Sequence, residues 1–167
     1  MRDTPPPKIT FLSPNLVVEA TSAKGAIVKY AAAVATDAVG PVTITYSTPS
    51  GSQFRLGTTV VTVTARDGHG NVTTRTFTVT VVDTTPPVFT FVSPDITVSA
   101  TSSRGAVVRY RDAVATDAVG PVTITYSNES GSEFPVGTTV VTVTARDGAG
   151  NVTRTTFRVT VVRDGPM

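Results

Sequence analysis

The chain has 167 residues, 40% of them hydrophobic, with no cysteine and a formal net charge of +2. Without cysteine it forms neither disulfides nor thiolate metal centres. So small a charge excess makes no polyanion-binding field, whatever the pI, and no apolar run reaches the roughly 18 residues of a membrane-spanning helix.

In chain order, residues 1–8 read as a proline-rich extended lead-in. Met1-Arg2-Asp3-Thr4 opens with no apolar core of a secretory leader. Ile9 to Phe11 is expected to pair briefly at an edge until Ser13-Pro14 breaks it. Leu16 to Ala20 is the first full strand. After a turn at Thr21–Gly25, Ala26 to Tyr30 returns with Ala26, Val28 and Tyr30 inward. Ala35 to Pro41 reads as a loop. Val42 to Ser47 alternates Val42, Ile44 and Tyr46 against Thr43 and Thr45, and Phe54 marks a short strand in a polar crossover.

The strongest signal follows. From Gly57, Val61, Val63 and Ala65 alternate with Val60, Thr62, Thr64 and Arg66, the period of a half-buried strand. Asp67-Gly68-His69-Gly70-Asn71 reverses the chain, and Val72 to Val82 returns with Phe77, Val79 and Val81 inward.

The pattern is then written again. Asp67 recurs as Asp147, Asn71 as Asn151 and Phe77 as Phe157, each 80 positions on (147 − 67 = 80). Ala33–Ser47 recurs unchanged as Ala113–Ser127. A repeat of half the chain predicts two small domains, 1–82 and 83–167, with residues 83–87 as a stiff Pro-Pro linker. Short strands with frequent turns and no amphipathic helix predict two tandem immunoglobulin-like antiparallel β-sandwiches.

The order Asp-Thr-x-Pro-Pro (Asp83–Pro87), Val-x-Tyr (Val108–Tyr110), Ala-Thr-Asp (Ala115–Asp117), Ser-Gly-Ser-x-Phe (from Ser130 to Val140), Ala-x-Asp-x-x-Gly-Asn (Ala145–Asn151) and Phe-x-Val-x-Val (Phe157–Val161) resembles the hyalin repeat, or HYR domain. The first repeat matches at Asp3, Asp37, Ser50–Val60 and Asp67–Asn71. The resemblance covers nearly the whole chain and implies an immunoglobulin-like fold with a role in adhesion or surface architecture, not catalysis. Many animal members carry a cysteine pair; its absence points to a bacterial-type or virus-borne member.

Candidate chemistry is sparse. His69 is the single histidine, replaced by Ala149 in the second repeat, so the usual nucleophile–base pairs cannot be assembled. An Asp37/Asp67 carboxylate pair would need a deep cleft that a sandwich of this size does not offer. Loops at one pole of an immunoglobulin-like module bring Asp83, Asp117, Asp147 and Asn151 together at the junction with the first module. Converging oxygen ligands of that kind are how calcium is held; the alternative is that each side chain caps its own turn. Outward threonines read as soluble strand surface, and Arg104, Arg109 and Arg111 as solvated decoration, not a nucleic-acid footprint. Asn71-Val72-Thr73, Asn128-Glu129-Ser130 and Asn151-Val152-Thr153 match the glycosylation acceptor, but Asn71 and Asn151 are better explained as left-handed turn residues.

The functional expectation is a non-catalytic spacer or adhesion module of an extracellular or cell-surface assembly, with protein partners or self-association through strand edges and loops. One alternative is a virion component decorating a phage capsid or tail. Another is calcium-dependent carbohydrate binding.

Overall fold

A computed structural model describes residues 5–163, and every regular element among them is a β-strand. The molecule divides between Asp83 and Thr84 into two units.

The first unit contains β1 (Lys8–Phe11), β2 (Leu16–Glu19), β3 (Ala26–Val28), β4 (Val34–Thr36), β5 (Thr43–Tyr46), β6 (Ser52–Phe54), β7 (Gly57–Arg66) and β8 (Val72–Val82). One sheet runs in the order β2-β8-β7-β5, and the pairs β1–β4 and β3–β6 supply the strands opposite it. The β7–β8 hairpin is the spine, in continuous register from Gly57↔Val81 to Arg66↔Val72. Its alternation places Val61, Val63, Ala65 and Val79 at 0% exposure, while Val60 is exposed on the opposite face. Phe54 on β6 closes the core from the other side at 1% exposure. Each buried valine or phenylalanine contributes about 1.5–3 kcal/mol by leaving water.

Two expectations are revised. Val34–Thr36 is a strand, not loop, because β1 pairs with it antiparallel across Lys8↔Thr36 and Ile9↔Ala35. The sandwich is also not wholly antiparallel: β2 runs parallel to β8, from Leu16↔Val79 to Glu19↔Val82. At Ser13-Pro14 the chain leaves β1 and its pairing with β4 and continues as β2, which adds beside β8 in the parallel sense. Asn15 fixes that register, its Oδ1 accepting from the Thr78 backbone N–H at 2.9 Å.

Gly25 is required where β3 begins. Its φ is +107°, and a Cβ there would lie 1.9 Å from the Phe54 carbonyl oxygen. Beyond β3, Tyr30 packs edge-on against Phe77 at 4.9 Å between centroids and tilts against Tyr46 at 5.4 Å. Its hydroxyl donates to the Thr48 carbonyl at 2.5 Å.

The second unit repeats the plan as β9 (Val88–Phe91), β10 (Ile96–Ser99), β11 (Ala106–Val108), β12 (Val114–Thr116), β13 (Thr123–Tyr126), β14 (Ser132–Phe134), β15 (Gly137–Arg146) and β16 (Val152–Val162). The sheet order is β10-β16-β15-β13, with β12–β9 and β11–β14 opposite. Phe134, Val141, Val143, Phe157, Val159 and Val161 form its core, with Tyr110 packed among them. Asp95 replaces Asn15 in the strand-setting role, accepting from the Arg158 N–H at 2.9 Å. No helix among the described residues is long and apolar enough to cross a membrane.

Candidate functional site

The turn after β15 shows why the sequence places an aspartate there. Asp147 is 6% exposed, and its Oδ1 accepts the backbone N–H groups of Ala149 and Asn151, both at 2.9 Å. Asn151 Nδ2 donates to Asp147 Oδ2 at 2.9 Å. Three donors on one carboxylate fix its position. Asp67 and Asn71 repeat the arrangement in the first unit, with Asp67 Oδ1 accepting from His69 N and Asn71 N at 2.9 and 3.0 Å. Among the described residues every positive φ belongs to a glycine, so Asn71 and Asn151 are not left-handed residues. They hold these turns through the carboxamide–carboxylate bond.

Asp117 lies in the loop after β12. Its Oδ1 accepts the Val119 N–H at 2.9 Å, whereas Oδ2 is buried with no hydrogen-bond partner. Asp83 follows the end of β8 directly. The carboxylates of Asp83, Asp117 and Asp147 each bring an oxygen within 4.8 Å of the others. The three carboxylates expected as ligands thus lie together, and Asn151, the fourth expected ligand, is bonded to one of them through its Nδ2. Two unit charges at that separation repel by about 1 kcal/mol even in bulk water, and by more where burial lowers the effective dielectric. Hard oxygen donors in a group suit calcium, with carbonyls and water completing its shell. In the first unit, Asp3 stands at the place of Asp83 and lies outside the described residues.

The remaining candidates separate from this group. His69 is exposed at its turn. Thr73 and Thr153, the hydroxyl members of two glycosylation matches, donate instead to the carbonyls of Pro7 and Pro87 at 2.5 and 2.6 Å. Arg111 is not free decoration: its guanidinium carbon lies 4.2 Å from the centroid of the Phe91 ring. An arginine three residues after β11 gives no sequence cue for such stacking, since the two residues meet only through the β9–β12 pairing.

The HYR domain family model matches residues 2–81 and again 82–161, so all three carboxylates fall inside the second copy. The chain is 38% identical over 169 residues to Hyalin of Lytechinus variegatus, covering 96% of this chain and 32% of that protein. It is 32% identical over 127 residues to the Serine-rich adhesin for platelets of Staphylococcus aureus, covering 68% of this chain and 9% of that protein. The chain thus spans a third or less of these relatives. The fold is shared with the titin domains Z1Z2 crystallised with telethonin, at a TM-score of 0.51 and 14% identity over 98% of this chain and 100% of that one. Two consecutive matches covering nearly the whole sequence identify it: the chain belongs to the HYR domain family, in two tandem immunoglobulin-like copies.

Proposed function

We propose that this chain is a non-catalytic adhesion-type module, a paired spacer in an extracellular or cell-surface assembly. The observation that carries this reading is where the buried polar groups are spent. The buried polar side chains among the described residues are Ser13, Asp67, Ser93 and Asp147. Ser13 and Ser93 donate to the carbonyls of Pro14 and Pro94, and the two aspartates hold hairpin turns. None is held back for a reaction; the polar interior serves loop shape. The similarity to hyalin and to an adhesin supports a binding surface or scaffold, with protein partners or further copies of the chain engaged through exposed edges such as β5 and β13. The virion and carbohydrate readings gain no support from these relatives.

Beads coated with the chain test this proposal. Aggregation of coated beads, or their retention on cells that carry the parent protein, is the expected outcome. Coated beads that behave like albumin-coated ones in both assays overturn it.

A second reading rests on Asp117 Oδ2, a buried acceptor without a donor inside a group of three carboxylates. We infer that the second copy binds a calcium ion through Asp83, Asp117 and Asp147. The ion would supply the missing partner for Oδ2, relieve the repulsion and tie two loops to the start of the domain. Isothermal titration with calcium, on the chain and on its Asp117→Asn variant, tests this independently of adhesion. Binding by the parent and loss in the variant are expected; no heat from the parent at millimolar calcium overturns the reading.

A further inference from the structure

The two copies serve as internal references for one another, and they differ most pointedly around one phenyl ring. In the second copy Arg111 lies over Phe91, its guanidinium carbon 4.2 Å from the ring centroid. The equivalent residues of the first copy are Ala31 and Phe11 (111 − 80 = 31 and 91 − 80 = 11). Asp112 is likewise replaced by Ala32. The backbone is the same in both: Phe11 is paired with Val34 across β1–β4, and Phe91 with Val114 across β9–β12. Phe11 is 42% exposed with Ala31 and Ala32 exposed beside it, whereas Phe91 under its arginine is only partly exposed; Val34 and Val114 are exposed in both copies, at 49% and 43%. The guanidinium that covers the ring in the second copy has no counterpart over Phe11 in the first.

We propose that the Phe11 face of the first copy docks an arginine side chain of a partner protein. The second copy identifies the occupant by filling the same place with its own guanidinium. The chemistry is complementary: an aromatic face is electronegative, and a flat, weakly hydrated guanidinium stacks on it more readily than a strongly hydrated ammonium. Val34 and the two alanines give the methylene stem of the incoming arginine an apolar floor. A carboxylate would be repelled by the same ring face. The inference goes beyond the adhesion proposal by naming a surface and the residue type it receives, and it does not depend on calcium.

The test is a titration of the whole chain with a tetra-arginine peptide at physiological salt, read by NMR at the phenylalanine rings and valine methyls. Saturable shifts at Phe11 and Val34, with Phe91 silent, are expected. Tetra-lysine should bind more weakly, because its ammonium is the more strongly hydrated and cannot stack flat on the ring. Ala31→Arg places a guanidinium over Phe11 within the chain and should abolish the response. Arg111→Ala uncovers Phe91 and should make that ring respond as well. Both changes lie at exposed positions, so neither threatens folding. Silence of Phe11 at millimolar peptide, an unchanged response in Ala31→Arg, or equal binding of tetra-lysine overturns the proposal.

Discussion

Tyr110 and Tyr126 lean together with ring centroids 5.4 Å apart, yet their hydroxyls serve different segments. Tyr110 donates to the Asn128 carbonyl, while Tyr126 accepts from the Ala113 N–H at 2.9 Å. The pair thus holds both flanks of the irregular stretch between β11 and β12. Burial, then the neighbouring Tyr126 and Glu129, pushes the Tyr110 phenol up to about 12 from its ordinary 10, and burial also raises Tyr30.

The sign follows from the raised value. Below pH 10 the phenol is neutral in both folded and unfolded chains, and its full contribution is present. Between about pH 10 and 12 the unfolded chain ionises first, so stability falls as pH rises through the folded value. A urea-denaturation series across this range should show progressive loss. Tyr110→Phe should be less stable at neutral pH, by about 1–2 kcal/mol for the lost buried hydrogen bond, and show a shallower alkaline decline.

Gly25→Ala and Gly105→Ala should each destabilise their unit by about 2 kcal/mol or more. The added Cβ meets a backbone carbonyl at 1.9 Å in both copies, and φ is +107° and +117°. Gly51→Ala serves as the control: it shares a positive φ of +88° but faces open space. It should cost only the backbone strain, roughly 1 kcal/mol. Chemical denaturation of the three variants checks the ranking.

Asp67→Ala removes the acceptor for three donors at a buried position. A loss of about 2–4 kcal/mol is expected, since the backbone N–H groups of His69 and Asn71 are left to find water. Amide exchange should accelerate at His69 and Asn71 first and leave the middle of β7 protected.

The calcium reading gives a thermal prediction whose direction reverses with the metal. Calcium at a hundred times its dissociation constant should stabilise the second copy, residues 82–161, by about 2.7 kcal/mol through binding to the folded state alone. Asp117→Asn should remove that response. In chelator the same variant should match or exceed the parent in melting temperature, because one of three mutually repelling charges has gone. Differential scanning calorimetry with calcium and with chelator separates the two effects.

What could be read from the sequence was local. The β7–β8 hairpin follows from strict alternation of Val61, Val63, Phe77 and Val79 with outward threonines, and the structure keeps it residue for residue. The three-residue β4 did not follow, because Val34-Ala35-Thr36 is too short to show a period and becomes a strand only by pairing with β1. The parallel β2–β8 pairing is equally non-local, fixed by Asn15 reaching Thr78 across 63 positions. The sequence-based grouping of Asp83, Asp117, Asp147 and Asn151 rested on which loops share a pole in this topology, and the three carboxylates do lie within 4.8 Å of one another; calcium at that place is a proposal. The stacking of Arg111 on Phe91 depended on the pairing of two strands whose partnership has no signature in either segment.

The parallel alignment of β2 with β8 governs how a unit yields when its two ends are pulled. An early strand and the final strand lie side by side, joined over Leu16–Glu19 and Val79–Val82. Tension between the ends then slides one strand along the other, so the bonds of that patch must rupture together instead of opening one at a time. Stretched singly, such a unit should give a sharp, rate-dependent rupture peak. Asn15→Ala, which removes the clip at Thr78, should lower the peak more than it lowers stability in urea.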